Sequence, residues 1–243
     1  MRSEESTRNP TDSIILLNMT PRGNRVSLLS IPRDVFIDTP GYGNRRIGSI
    51  NVLGEQEAEG QGIDLVRTSI NNNFLIRVDN YILLDLDDFV ALVDAVGGVD
   101  INVPKEIIDD HYETKDGDLI TLTFSPGWQH MDGMRALQYA RVRGSDDDYH
   151  RAARQQQIMN AFANKLSDPR SLTNWPHAWQ AFWTNAETDL NWVDIMRIGP
   201  GLLLGWRNRT QRVLAEDDLF AVRAGFWVPN YELINPWIEE HFD

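Results

Sequence analysis

The sequence predicts an α/β fold with one central sheet and helices on both of its faces. Three observations carry this. Strand-like and helix-like segments alternate along the chain, the pattern of a layered α/β domain. The apolar runs are short and bounded by turn residues, which is strand behaviour, while other segments repeat their apolar residues at helical spacing. The 243 residues are 42% hydrophobic and 24% charged, ordinary globular composition and enough chain for a substantial core.

The elements follow in order. Residues 1–11 form a polar, flexible lead-in. Residues 13–18 and 25–31 are apolar runs joined by Pro21-Arg22-Gly23-Asn24, so they predict a hairpin. Pro32 ends the second strand because it cannot donate to a central ladder. Residues 40–44 read as a loop, and polar residues 54–62 lead into a helix over 64–73. A strand over 80–85 precedes a helix over 87–96, whose Phe89, Val90, Val93 and Val96 share a face and which Gly97-Gly98 stops. Val99, Ile101 and Val103 alternate as a strand. In a strand over 119–124, Ile120, Leu122 and Phe124 form the expected core face.

A short helix over 131–137 and a strand over 138–143 come next, then a long helix over 148–166 with Ile158, Met159, Phe162 and Leu166 on one face. Trp175, Trp179, Phe182 and Trp183 stand at helical spacing and predict an inward-packed stripe, the alternative being a lipid-facing groove. The pattern over 192–204 is interrupted by Gly199-Pro200.

Asp plus Glu outnumber Lys plus Arg by 36 to 23, a net charge of -13. Such a surface lacks the basic footprint of a nucleic-acid binder. With no cysteine, disulfides and thiolate metal sites are excluded. No run approaches the ~20 apolar residues of a membrane span, and the start of the chain carries no signal peptide. The five histidines are scattered, which sets a histidine-based mechanism aside.

Chemistry concentrates in residues 139–156. On a strand, Arg141 and Arg143 would project from one face. On the following helix Arg151, Arg154 and Gln155 lie at i, i+3 and i+4 and share a face. Asp146, Asp147 and Asp148 lie between, and Asp147 or Asp148 can cap that helix. Guanidinium groups bind phosphate in bidentate fashion and stay charged at any working pH, so arginines at a strand end and a helix start suit an oxyanion. The competing reading is an Arg–Asp ion-pair network. Ser30-Ile31-Pro32-Arg33-Asp34 places Arg33 at the edge of the sheet, and Asp12 stands at the entry to the first strand.

These pieces, in this order, resemble the LytR-CpsA-Psr family. They are Asp12-Ser-Ile-Ile-Leu-Leu, Ser30-Ile-Pro-Arg-Asp34, Arg46-Ile47, residues 92–103 with Gly97-Gly98, residues 133–143 ending in Arg141-Val-Arg143, and Asp146 to Gln156. The core motifs span 12–156, and the helical part over 157–243 resembles the family more loosely. The resemblance implies one domain over 12–243, a mixed sheet sandwiched between helices and an apolar pocket for a polyprenyl chain.

It also implies a Mg²⁺-dependent phosphotransferase that moves a glycopolymer from a polyprenyl-pyrophosphate carrier onto peptidoglycan, at the extracytoplasmic face of the bacterial membrane. On that basis Arg33, Arg141 and Arg143 would hold the pyrophosphate, and Asp12 would be a metal ligand. Arg46, Asp148, Arg151, Arg154 and Gln155 would complete substrate binding. A non-catalytic polyprenyl-phosphate-binding or regulatory module is the alternative.

Several departures from the family pattern stand out. A strand ending in Gly-x-Asp and a membrane anchor precede this region in the family, and both are expected to belong upstream of the present start. The family's arginine two positions before the metal aspartate is Pro10 here, with Arg8 offset from it. Gly48 stands where the family often has asparagine, and Tyr149 where it has phenylalanine.

Overall fold

A computed structural model of the chain describes residues 10–19, 25–114, 117–142, 148–223 and 226–242. The first elements are β1 (Ser13–Met19), β2 (Val26–Pro32), β3 (Phe36–Thr39), β4 (Gly43–Arg46), α1 (Ile47–Glu57) and α2 (Gln61–Phe74). Then come β5 (Ile82–Leu83), α3 (Leu86–Ala95), β6 (Val99–Val103), β7 (Ile107–Glu113), β8 (Leu119–Phe124) and β9 (Gly127–Met131). The remainder holds α4 (Gly133–Arg141), α5 (Asp148–Ser167), α6 (Trp175–Asn185), β10 (Glu187–Thr188), α7 (Trp192–Gly205), β11 (Thr210–Val213), β12 (Leu219–Arg223), β13 (Phe226–Pro229) and α8 (Tyr231–Phe242). The fold is α/β, and its contacts divide it into two compact units, Met1–Asn80 with Arg207–Asp243, and Tyr81–Trp206.

In the first unit the sheet has the order β1-β2-β11. It is mixed: β2 runs antiparallel to β1, with Leu16 opposite Leu29, and parallel to β11, with Arg212 opposite Leu29. Every residue of β2 is buried, so both of its faces are covered, and its apolar residues do not alternate with polar ones. Leu16, Leu29 and Ile31 pack with Ile47 and Ile50 of α1, Ile70 and Phe74 of α2 and Ile234 and Ile238 of α8. The predicted pairing of 13–18 with 25–31 is thus present, and the turn assigned to Pro21-Asn24 lies outside the described residues.

The region over 40–62 holds more structure than its polar sequence predicts. Phe36–Thr39 and Gly43–Arg46 pair as a hairpin, and α1 runs through Gly54 to Glu57. Gly54 and Gly62, at the ends of the polar lead-in, serve helix packing. A Cβ on Gly54 would stand 2.5 Å from the Gln61 carbonyl oxygen, and one on Gly62 would stand 2.5 Å from that of Asn51. Only the bare backbones let α1 and α2 approach this closely.

In the second unit β6 pairs antiparallel with β9, and β7 with β8. Val99, Ile101 and Val103 are buried and the residues between them exposed, as the alternation predicts. They join Phe124, Met131, Tyr139 and Ile158 in one core. On β8, Leu122 and Phe124 are buried while Ile120 is exposed. Asp85 and Asp88 close a capping box at the start of α3, each side chain accepting from the other's backbone N–H (3.2 and 2.8 Å). Gly97 and Gly98 end that helix at φ 80° and 76°, a region closed to most side chains.

Three sequence expectations are corrected here. Residues 138–141 are helical, the last turn of α4, so the strand over 138–143 does not form. The Asp132 carboxylate caps that helix by accepting from the Arg135 N–H at 2.7 Å. Burial of Ala136, Leu137, Tyr139 and Ala140 then follows a helical repeat, where a strand would alternate. Second, α7 continues through Gly199-Pro200. Third, Trp175, Trp179 and Trp183 are exposed, so the stripe on α6 is not core; Ala178 is the buried residue of that helix.

Candidate functional site

The first unit gathers Asp12, Arg33, Asp34 and Arg46 into an alternating chain of charges. Arg33 follows β2 in a tight turn closed by the Val35 N–H donating to the Pro32 carbonyl at 3.1 Å. Its guanidinium donates through Nη1 to Asp12 Oδ1 and through Nε to Asp34 Oδ2, the latter at 3.4 Å. Arg46, the last residue of β4, reaches Asp34 Oδ1 at 3.6 Å and lies over the Phe36 ring, 5.6 Å from its centroid. All four side chains are partly open to solvent, so these pairs are weak as stabilisers and accessible as binders.

Backbone bonds fix the cluster. The Gly48 N–H donates to the Arg33 carbonyl at 3.0 Å, the Thr11 N–H donates to the Gly48 carbonyl at 2.7 Å, and the Ile47 N–H donates to the Val35 carbonyl at 2.8 Å. The start of α1 therefore holds both the Arg33 turn and the strand entry that carries Asp12. Pro10 is exposed, one residue before Thr11.

The second unit carries Arg141, Arg151, Arg154 and Gln155. Arg141 ends α4, and the Tyr112 hydroxyl of β7 accepts from its Nη1 at 3.5 Å. Its guanidinium carbon lies 5.7 Å from the Tyr112 ring centroid, within cation–π range. Tyr112 is buried, so it gives Arg141 a fixed floor. Arg151 and Arg154 are buried on α5, and Gln155 is half-buried. Arg154 Nη2 donates to the Val142 carbonyl, tying the end of α4 to α5. Asp148 is the first residue of α5. Arg143, Asp146 and Asp147 lie outside the described residues. Arg141 thus reaches its position from a helix end instead of a strand.

Asp34 and Tyr112 were missed as partners of the arginines. Asp34 stood in plain view beside Arg33. Nothing in the sequence joins Tyr112 to Arg141, which lies 29 positions away on another element. Among the described residues no three His, Asp or Glu side chains group as a metal cluster. Asp12 is a partly exposed carboxylate beside Arg33. That suits the way Mg²⁺ binds in phosphate sites, through one or two carboxylates together with phosphate oxygens.

The fold is a layered α/β one that sets arginines and aspartates at the ends of strands and helices. The chain belongs to the LytR_cpsA_psr family, whose model matches residues 1–215. It is 28% identical over 190 residues to TagU of Enterococcus faecalis, named a polyisoprenyl-teichoic acid–peptidoglycan teichoic acid transferase, covering 77% of this chain and 57% of that protein. It is 30% identical over 197 residues to TagV of Bacillus subtilis, which bears the same activity name, covering 80% of this chain and 47% of that one. The chain therefore spans about half the length of these curated relatives.

Two solved structures share the fold. The crystal structure of Bacillus subtilis TagV superposes with a TM-score of 0.78 at 23% identity, covering 99% of this chain and 92% of that one. TagT bound to LI-WTA gives a TM-score of 0.75 at 20% identity, covering 96% and 85%.

Proposed function

We propose that this chain is the catalytic domain of a glycopolymer–peptidoglycan phosphotransferase acting at the extracytoplasmic face of the bacterial membrane. The observation that carries the reading is the Asp12–Arg33–Asp34–Arg46 cluster held against the start of α1. It occurs in a chain of a family whose named relatives transfer polyisoprenyl-linked teichoic acid to peptidoglycan.

The chemistry follows from the side chains. The family resemblance gives Arg33, Arg141 and Arg143 as the residues that would hold the pyrophosphate of a polyprenyl-pyrophosphate glycan, with Arg46 and Arg151 as further substrate contacts. The resemblance adds Asp148, Arg154 and Gln155 of α5 to the substrate contacts, and Arg154, which is buried, would act by holding the end of α4. A hydroxyl of the wall attacks the phosphorus that bears the glycan. The new P–O bond forms as the bond to the bridging oxygen breaks, polyprenyl phosphate leaves, and the hydroxyl proton passes to a carboxylate of the site. Phosphoryl transfer of this kind depends mainly on positioning and on charge neutralisation, which fixed guanidinium groups supply. Asp12 would hold Mg²⁺, which when bound neutralises further phosphate charge. Arg33 keeps the Asp12 carboxylate in place through Nη1.

The test is incubation with a polyprenyl-pyrophosphate glycan analogue, with and without Mg²⁺, read by mass spectrometry. Release of polyprenyl phosphate only with Mg²⁺ is expected. Binding without release would favour a carrier-binding module, the reading that Pro10 supports because it stands where the family has an arginine. Calorimetry of Mg²⁺ with inorganic pyrophosphate, comparing the parent with Asp12→Asn, reads the metal assignment separately from turnover.

A further inference from the structure

The Asp12–Arg33–Asp34–Arg46 chain of charges continues past Arg46 into a pair of aromatic rings. The Arg46 guanidinium lies 5.6 Å from the Phe36 ring centroid, and the Phe226 ring meets Phe36 at 4.5 Å, tilted by 43°. Phe36 is buried, whereas Phe226 is 46% exposed. The local backbone sets this up. Phe36 of β3 stands opposite Arg46 of β4, so the two side chains share a face. Val35 bridges Trp227 in parallel, which brings β13 alongside the chain that has just carried Arg33 and Asp34. The register of β12 shifts between Ala221 and Arg223, across from Trp227 and Phe226, an irregularity of the kind that re-aims side chains. Phe226 thus offers a partly open ring on a fixed base. Linked to it through Phe36 are a cation that is 57% exposed, Arg46, and the carboxylate of Asp34, 34% exposed.

Ring, guanidinium and carboxylate together match a saccharide. A pyranose has a face of C–H groups and a rim of hydroxyls. The C–H face is attracted to the electron-rich face of an aromatic ring. The hydroxyls donate to a carboxylate and accept from a guanidinium, both charge-assisted bonds. A prenyl chain fits worse: laid along Phe226 it would strip water from Arg46 and Asp34 and return no hydrogen bond. A phosphate would find Arg46 but gain nothing from Phe226.

We propose that Phe226, based on Phe36 and flanked by Arg46 and Asp34, seats a saccharide ring of the transfer reaction. It is a substrate-positioning residue that lies outside the motifs from Asp12 to Gln156. The proposal rests on the reading of the Arg33 cluster as a pyrophosphate site, since that reading puts a glycan beside the charges. Two sources supply such a ring, the glycan on the carrier and the glycan of the wall, and the experiment separates them.

The full chain is titrated by calorimetry with inorganic pyrophosphate, farnesyl pyrophosphate, farnesyl-pyrophosphoryl-N-acetylglucosamine and a peptidoglycan tetrasaccharide. The parent should either bind the sugar-bearing pyrophosphate more tightly than farnesyl pyrophosphate, which assigns the ring to the carrier glycan, or bind the tetrasaccharide, which assigns it to the wall. Phe226→Leu keeps apolar volume and removes the aromatic face. It should lose the sugar-dependent affinity by ~10-fold and leave inorganic and farnesyl pyrophosphate unchanged. Phe226→Tyr should retain it. Saturation-transfer NMR of the parent needs no variant to fold: transfer should fall on the C–H protons of one pyranose face. A parent that gains nothing from either sugar probe would overturn the proposal. So would a Phe226→Leu variant with the full gain, or one that loses farnesyl pyrophosphate equally, which would make the ring a lipid contact. Arg33→Ala should weaken all the pyrophosphate probes. A parent that binds no pyrophosphate at all would sink the catalytic reading instead, and the tetrasaccharide would still test Phe226.

Discussion

Gly48 lies directly under Arg33: a Cβ built on it would stand 2.8 Å from the Arg33 Cβ and 2.7 Å from the Thr11 carbonyl oxygen. The first turn of α1 can donate to the Arg33 carbonyl and accept from Thr11 only because nothing projects from position 48. Gly→Ala in a helix ordinarily stabilises by ~0.5–1 kcal/mol. Here the added methyl meets backbone and a Cβ, neither of which is a flexible side-chain end, and overpacking costs ~1–3 kcal/mol. Gly48→Ala should therefore lower the melting temperature and weaken pyrophosphate binding together. A stabilised variant with intact binding would mean that the turn yields to the added methyl.

The arginines are the affinity test. Arg33→Ala and Arg141→Ala should each weaken binding of a polyprenyl-pyrophosphate analogue by ~10- to 150-fold, the loss of a charge-assisted hydrogen bond. Calorimetric titration of folded variants reads this. Unchanged affinity in both would reduce Arg33 to an ion-pair partner of Asp12 and Asp34, and Arg141 to a hydrogen-bond and cation–π partner of Tyr112.

Tyr112→Phe isolates the support beneath Arg141. The ring and its cation–π contact remain, and only the hydroxyl that accepts at 3.5 Å is lost. Binding should fall less than threefold, and Tyr112→Leu should cost more because it removes the ring as well. Equal effects in the two variants would assign the contact to the hydroxyl.

Pro10→Arg restores the side chain that the family pattern carries beside the site. The expected outcome is a rise in Mg²⁺-dependent release of polyprenyl phosphate with little change in melting temperature, since position 10 is exposed. No rise would locate the requirement elsewhere in the site.

Tyr231 gives an alkaline signature. Burial, and then the nearby Asp38 charge, push its hydroxyl up from 10.0 to about 12, and that hydroxyl donates to Asn73 Oδ1 at 2.8 Å. A phenol whose folded value is raised stays protonated while the unfolded chain ionises. The stability it contributes is complete below pH 10 and is lost as pH rises from 10 to about 12. Tyr231→Phe should flatten the fall of stability across that window, followed by urea unfolding at fixed pH. At neutral pH it should cost ~1 kcal/mol for the hydrogen bond. An identical slope in both proteins would place the alkaline loss on other groups.

Much of this protein was legible before any coordinates. Local pattern read correctly wherever one element's own residues decide its state. The alternation of Val99, Ile101 and Val103 marks a strand, and Gly97-Gly98 marks the helix stop. The ordered motifs from Asp12 to Gln156 gave the family, because spacing between distant short motifs survives where overall identity is low. Position-specific errors came where local pattern was ambiguous. Residues 138–143 read as a strand because Tyr139, Arg141 and Arg143 alternate with small or apolar residues, yet the Asp132 cap and the buried Ala136–Ala140 face commit residues 138–141 to α4.

What the sequence determined by itself is the family and the arginine and aspartate motifs that carry the resemblance, on a chain of net charge -13. What only the tertiary structure decided is which of those charges meet. Arg33 could have faced solvent; it is the backbone bonds from Gly48 to Arg33 and Thr11 that bring it onto Asp12. Arg141 rests on Tyr112 because β7 and the end of α4 share one core. The tryptophans of α6 and α7 fit the same helical spacing whether buried or exposed. Periodicity fixes which residues share a face, and only the packing of the other elements fixes which way that face turns.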